Sequence, residues 1–203
     1  MAITRKQLEI ALSRVRPDSN PKVHLEQYST PSSLAASVLH QAAYTFKDIQ
    51  EKNVVDLGCG TGILAIGSAL LGALYVVGVD ADQRVLRVAK ENARTAGVSV
   101  DWVASDINNL RPGFDTVIQN PPFGVQRRGA DTKFLKKGLK IARVVYSLHK
   151  SAEKSTIYLN QAAELAGGKA TKIARSKLEL PHQFEFHRKF RHRVEVDVYR
   201  FTR

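Results

Sequence analysis

Asn53-Val54-Val55-Asp56-Leu57-Gly58-Cys59-Gly60-Thr61-Gly62 is the stretch that decides the fold. Its first half, Asn53 to Leu57, has strand length and carries Val54, Val55 and Leu57. An apolar run, Gly62 to Leu71, follows at helical length. Glycines in the loop between them let the backbone turn sharply and let a ligand approach the main chain. A glycine-rich loop alone could serve a dinucleotide, a phosphate or a tight turn. The spacing here is Gly-x-Gly-x-Gly, not the Gly-x-Gly-x-x-Gly of dinucleotide folds, which disfavours a nicotinamide dehydrogenase. An acidic residue, Asp56, also precedes the loop.

The pattern alternates on either side of this stretch. Leu74 to Val79 reads as a strand and Gln83 to Ala96 as a helix. Val98 to Val103 and Phe114 to Gln119 read as strands. Thr132 to Val144 reads as a helix, followed by a short strand near Val145 to Leu148. Ala152 to Leu165 is a helix that Gly167-Gly168 stops. Two strands, Lys172 to Leu180 and Arg193 to Phe201, close the chain. In the last, Val194, Val196 and Val198 face one way, Glu195 and Asp197 the other. Upstream, Thr4-Arg5-Lys6-Gln7 is a capping box, and Leu8, Ala11, Leu12 and Val15 fall on one helical face. Pro17 and Pro21 end that helix. Glu26 to Pro31 is extended, and Ser32 or Ser33 opens a helix to about Phe46.

This alternation predicts an α/β fold: a seven-stranded, mostly parallel, Rossmann-like sheet with helices on both faces. No helix separates the last two strands, so they should form an antiparallel hairpin at one edge. With no repeat, low-complexity tract or linker, the 203 residues read as one domain with an N-terminal helical extension over roughly residues 1–47.

Composition narrows the function. Lys and Arg exceed Asp and Glu by 31 to 19, a formal net charge of +12, which suits a phosphate-backbone partner. The single cysteine, Cys59, excludes an internal disulfide and a cysteine zinc cluster, and a reducing cytoplasmic setting is expected. The six histidines are scattered, so no metal is expected. The N-terminus lacks the apolar segment of a signal peptide. Ile63 to Val79 is uncharged, but glycines interrupt it, and a helix followed by a buried strand explains it better than a membrane span.

Two further acids sharpen the loop. Asp80 ends the second strand, where a carboxylate can accept from both ribose hydroxyls of an adenosyl group. Asp106 ends the third, where it could accept from an adenine amino group. Asp82 is the more natural cap of the next helix. Asp56, Asp80 and Asp106 follow three successive strands beside Gly58 and Gly60, which points to a nucleoside-type cofactor.

Asp56 to Gly62, Asp80, Asp106 and Asn120-Pro121-Pro122-Phe123 together resemble the motifs of class I S-adenosylmethionine methyltransferases, of the kind that methylate planar amino groups. Glu26 to Pro31, Asn120 to Gly124, Tyr146-Ser147-Leu148-His149-Lys150 and Phe186-His187-Arg188-Lys189 are similar to a narrower group, the methyltransferase-like enzymes that make N6-methyladenosine on small-subunit ribosomal RNA, with archaeal relatives. The resemblance covers nearly the whole chain. It implies S-adenosyl-L-methionine as cofactor, lined by Gln27, Thr30, Gly58, Thr61, Ile63, Asp80, Asp106, Ile107 and Asn120. It also implies a small zinc-ribbon activator protein as a partner. In a eukaryotic cell the setting would extend to the nucleus or nucleolus.

Chemistry gives Asn120, Pro121, Pro122 and Phe123 their expected roles. An adenine amino group is a poor nucleophile because its lone pair is delocalised into the ring. The Asn120 side-chain oxygen and the Pro121 carbonyl can each take one N–H hydrogen bond and stabilise the charge that develops in transfer. Proline holds that carbonyl in place, and Phe123 would stack on the base. No general base is nominated. Arg127, Arg128, Lys133, Lys136, Lys137 and Lys140 follow the motif, and His187, Arg188, Lys189 and Arg191 occupy the last turn. Phe184, Phe186 and Phe190 interleave there, as suits RNA. An adenine amino group inside a duplex is out of reach, so the target should be single-stranded or flipped out. Two other readings compete: a glutamine methyltransferase acting on a translation release factor, and a non-catalytic RNA-binding module on the same fold.

Overall fold

The computed structural model describes residues 2–19, 30–122, 129–180 and 192–203. In chain order they form α1 (Arg5–Leu12), α2 (Ser32–His40), β1 (Asn53–Leu57), α3 (Ile63–Leu70), β2 (Tyr75–Asp80), α4 (Gln83–Ala96), β3 (Asp101–Ala104), β4 (Phe114–Gln119), α5 (Ala130–Ile141), β5 (Ala142–Lys150), α6 (Glu153–Leu165), β6 (Lys169–Leu180) and β7 (His192–Thr202). A π-helical turn, Gln41–Thr45, extends α2.

The sheet order is β3-β2-β1-β4-β5-β7-β6. The first five strands pair in parallel. β7 lies antiparallel between β5 and β6, so β6 runs in the same sense as the first five. The direction of winding reverses between β1 and β4, and the carboxyl ends of strands at such a reversal open a crevice for ligands.

One face of the sheet packs Val54, Val76, Ile118, Tyr146, Leu148, Val196 and Val198 against α1, α2 and α3. The other packs Val55, Leu57, Val79, Val117, Val145 and Phe201 against α5 and α6. Burial on both faces is why β1 and β2 read as apolar runs without alternation. The Thr4 capping box forms, with Thr4 Oγ1 accepting from the Gln7 N–H, and Asp82 caps α4.

Two local expectations need correction. The helix expected to reach Val144 stops at Ile141, because Val144 and Val145 pair in parallel with Thr116 and Val117 of β4. Sheet pairing overrides a continuing apolar period here. The third strand is shorter than Val98 to Val103, spanning Asp101–Ala104. The alternation expected in the last strand holds: Val196 and Val198 pack into the core of one face, while Asp197 on the other is 1% exposed and paired with Arg175 (2.6 Å) and Lys172 (3.4 Å), so its side of β7 is covered as well.

Tyr146 anchors the far face. Its hydroxyl donates to Asp48 Oδ2 at 2.5 Å, and Arg200 Nε donates to the same oxygen at 2.8 Å while its guanidinium lies over the Phe46 ring. Burial, then the bond to Asp48, push the Tyr146 phenol well above its ordinary pKa, so it stays a donor. Tyr146→Phe should cost about 1.5–3 kcal/mol, the range for a hydrogen bond to a charged group. Urea unfolding would read this as a lower midpoint with an unchanged slope. An unchanged midpoint would mean that Arg200 alone satisfies Asp48.

Candidate functional site

The glycine loop sits at the carboxyl end of β1, on the reversal point. Gly58 and Cys59 N–H groups donate to the Val79 carbonyl at 2.8 and 3.0 Å, which folds the loop back onto β2. Gly58 has φ +68°, and a methyl group there would come within 2.9 Å of the Phe134 ring. A methyl at Gly62, φ +89°, would come within 2.6 Å of Trp102. A Cβ at Gly60 would meet nothing within 4 Å, so that side of the loop is open to a ligand. Beside it lies a cavity of about 170 Å³, lined by Leu12, Val15, Thr30, Thr61, Ile63 and their neighbours.

The three acids divide into different environments. Asp80 spends one lone pair of each oxygen on the backbone: Oδ2 accepts from Gly60 N–H at 3.0 Å and Oδ1 from Asp82 N–H at 2.9 Å. Burial raises its pKa, against the pull of those amides. Asp106 is exposed, caps the turn Ile107–Asn109 and holds Lys133 at 3.3 Å. The Asn108 N–H first, and then Lys133, keep its carboxyl below the usual range. Ile107 is buried beside it. Lys133, expected on the RNA rim, is thus tied to a residue expected at the cofactor.

Asp56 lies beneath the loop, 1% exposed. Its Oδ2 accepts from the Ala65 N–H of α3 at 3.0 Å, while Oδ1 is buried with no partner among the described residues. Burial, more than the nearby Asp80 charge, lifts its pKa to about 8. From the ordinary carboxylate range up to about 8, the folded chain therefore keeps a proton that the unfolded chain has lost. Stability should fall as pH rises through that window, by up to about 1.4 kcal/mol per pH unit, and level off above it. Asp56→Asn retains an acceptor for Ala65 and should flatten the decline in urea unfolding. A variant curve parallel to the wild type would remove Asp56 as its source.

Asn120 follows β4 directly. Its Nδ2 donates to Thr30 Oγ1 at 3.0 Å, and its Oδ1 is buried with no partner among the described residues. Burying an unmatched acceptor is costly, so this oxygen marks a place built for a donor. Pro121 is buried and Pro122 half-buried after it.

Two supports were not expected from the residues alone. Asn92 of α4 accepts from Arg16 N–H and donates to the Arg16 and Thr61 carbonyls, each at 3.0 Å, tying the segment after α1 to the glycine loop. Its signal is visible: Val85, Leu86, Ala89, Asn92 and Ala93 form one buried stripe, with a single amide in it. The second is a buried chain behind the Asn120 strand end. Gln119 Nε2 donates to Ser147 Oγ at 2.9 Å, Ser147 lies 2.8 Å from His149 Nε2, and His149 Nδ1 is 3.9 Å from Asp131. Ser147 is fully enclosed, so this is a structural tie between β4, β5 and α5 rather than a nucleophile.

The structure therefore brings together Thr30, Gly58, Gly60, Thr61, Ile63, Asp80 and Asn120, with Asp56 as a support below them. Gln27, Phe123, Arg127, Arg128, His187, Arg188, Lys189 and Arg191 lie outside the described residues.

The sequence model of the methyltransferase small domain matches residues 29–145, more than half of the chain and all of the loop, acids and Asn-Pro-Pro segment. The chain belongs to the methyltransferase small domain family. Among this methyltransferase's relatives is rRNA N(6)-adenosine-methyltransferase METTL5 of Danio rerio, 38% identical, with 97% of this chain and 98% of that one aligned. The corresponding Drosophila melanogaster enzyme is 37% identical over 97% of this chain and 95% of its own. A solved structure from Pyrococcus horikoshii, described as a candidate RNA methyltransferase, superposes with a TM-score of 0.90 at 40% identity, covering 100% of this chain and 99% of that one. Among the described residues, no helix is long and apolar enough to cross a membrane.

Proposed function

We propose that this methyltransferase moves a methyl group from S-adenosyl-L-methionine to the N6 amino group of an adenosine in ribosomal RNA, of the small subunit by resemblance. The observation that carries the reading is Asn120: its amide nitrogen is held by Thr30, and its buried oxygen is free beside the glycine loop. Full-length relatives named as rRNA N6-adenosine methyltransferases support the substrate class.

The residues present fit the cofactor. The open side of Gly60, the remaining lone pairs of Asp80 and the apolar side chain of Ile63 on the cavity suit an adenosyl group, with Ile107 expected beside it by the resemblance. Gln27, Thr30, Gly58 and Thr61 would complete the holding set. When bound, S-adenosyl-L-methionine supplies an electrophilic methyl group. The chain supplies position and charge stabilisation. Asn120 Oδ1 and the Pro121 carbonyl each accept one N–H of the target amine, which favours the geometry in which its lone pair is free. Phe123 would stack on the base and Pro122 would stiffen the loop between them. Asp106 keeps lone pairs for an adenine amino group while holding Lys133.

Arg127, Arg128, Lys133, His187, Arg188, Lys189 and Arg191 would meet the RNA backbone. The same reading includes the zinc-ribbon activator and a cytoplasmic or nucleolar setting, where ribosomal RNA is found. The test is labelled methyl transfer from S-adenosyl-L-methionine to ribosomal RNA and, separately, to a translation release factor. Label recovered in N6-methyladenosine after RNA digestion is the expected result. Label in protein glutamine, or none in RNA, would overturn it.

A further inference from the structure

α5 carries Lys133, Lys136, Lys137 and Lys140, the i, i+3, i+4, i+7 spacing of a single helical face. The opposite face is committed to the core: Leu135 and Leu139 are buried, and a methyl at Gly138 would meet Val145 at 3.1 Å. The lysine face is therefore the outer one, with Lys136 and Lys140 exposed. Like charges at this spacing repel along a helix. In two other helices a base has a carboxylate three residues away on the same helix: Lys6 pairs with Glu9 in α1, and Arg94 with Glu91 in α4. α5 has no such pair. Among the described residues, Lys136 and Lys140 pair with no carboxylate, and the Lys140 charge adds to desolvation in holding the Lys137 ammonium below its ordinary pKa.

The row has a direction. It starts at Lys133, bonded to Asp106 beside the candidate site. It passes Lys137, whose ammonium donates to the Asn108 and Leu110 carbonyls at 2.9 and 2.6 Å. At the far end it gains Arg111, next to that anchor, and Arg143, just past the end of α5, both exposed and without a carboxylate partner among the described residues. The helix alone covers about 18 Å at 1.5 Å per residue. A linear cationic row that is neutralised only at its first lysine, beside the site, and leads away from it matches a linear polyanion.

We propose that the outer face of α5, continued by Arg111 and Arg143, is a track for the phosphate backbone of RNA flanking the methylated nucleotide. This rests on the RNA reading above and adds a contact remote from the reacting base.

The test variant is Lys136→Ala/Lys140→Ala/Arg143→Ala, which leaves Lys133 and Lys137 on their partners. Its melting temperature and cofactor affinity should match the wild type. Two probes are used: a structured RNA with a duplex flank beside the target adenosine, and a short single-stranded oligonucleotide holding only the target and its nearest neighbours. Each lost phosphate contact removes about 0.7–0.9 from the slope of log Kobs against log salt. The variant's slope on the structured RNA should flatten by about 2, with affinity at low salt at least tenfold weaker. Its affinity for the short oligonucleotide should not move. An unchanged slope on the structured RNA would overturn the track. Lost affinity for poly-glutamate with an unchanged RNA slope would assign the face to an acidic protein and overturn it equally. The slope is read from binding alone, so failure of the wild type to methylate RNA would count against the reaction reading and not against the track.

Discussion

Asn120→Ala should lower the single-turnover rate of methyl transfer about a hundredfold or more, the scale for losing one preorganised polar group at a developing charge. The free acceptor Oδ1 is already buried and already aimed, because Thr30 holds the other end of the amide. No reorganisation is needed when charge builds on the target nitrogen, which is where such a group acts most strongly. Cofactor affinity should move much less, since the loop and Asp80 lie on β1 and β2. Thr30→Val supplies the companion measurement. It leaves the acceptor in place but releases its nitrogen, so the rate should fall by a smaller factor. Near-wild-type single-turnover transfer by Asn120→Ala, at saturating RNA, would remove the Asn-Pro-Pro-Phe segment from the chemistry.

Asp80→Ala should weaken S-adenosyl-L-methionine binding by about 1.5–3 kcal/mol, roughly ten- to a hundredfold or somewhat more. The carboxylate has two tasks: it already accepts from the Gly60 and Asp82 amides, and each oxygen retains a lone pair for a ribose hydroxyl. Removing it leaves the Gly60 N–H without its acceptor as well as the ligand. Asp80→Asn should be nearly as damaging, since one of the two amides would then face an NH₂ donor. Because burial raises the Asp80 pKa, affinity should fall on acidification, and should begin to fall at a higher pH than for an exposed carboxylate. Calorimetry across pH measures both effects. Unchanged affinity in Asp80→Ala would take this residue out of the cofactor site.

Much of this architecture is written locally in the chain. The glycine spacing, the acids at three strand ends, the Thr4 capping box and the Asp82 cap each depend on residues within a few positions of one another. Local backbone sterics and helix-end hydrogen bonding are enough to read them. The antiparallel last pair was legible for a similar reason, since no helix lies between those strands to carry the chain across the sheet. The remainder depended on partners far apart in sequence. Thr30 and Asn120 meet across 90 residues, and Asn92 reaches both Arg16 and Thr61. The α5–β5 boundary followed from pairing with β4, which outweighed the helical period through Val144. Alternation places Asp197 opposite the valines of β7, but it gives the parity of a strand and not what covers each face. Arg175, Lys172 and the neighbouring packing cover it. Asp56 reads as a cofactor acid for the same reason: its position before the loop is a property of the chain, whereas its partner, the Ala65 amide, is supplied only when α3 folds back over β1. Sequence period and turn chemistry thus determined the elements and the positions of the polar groups, while the order of strands in the sheet decided which of those groups are buried together.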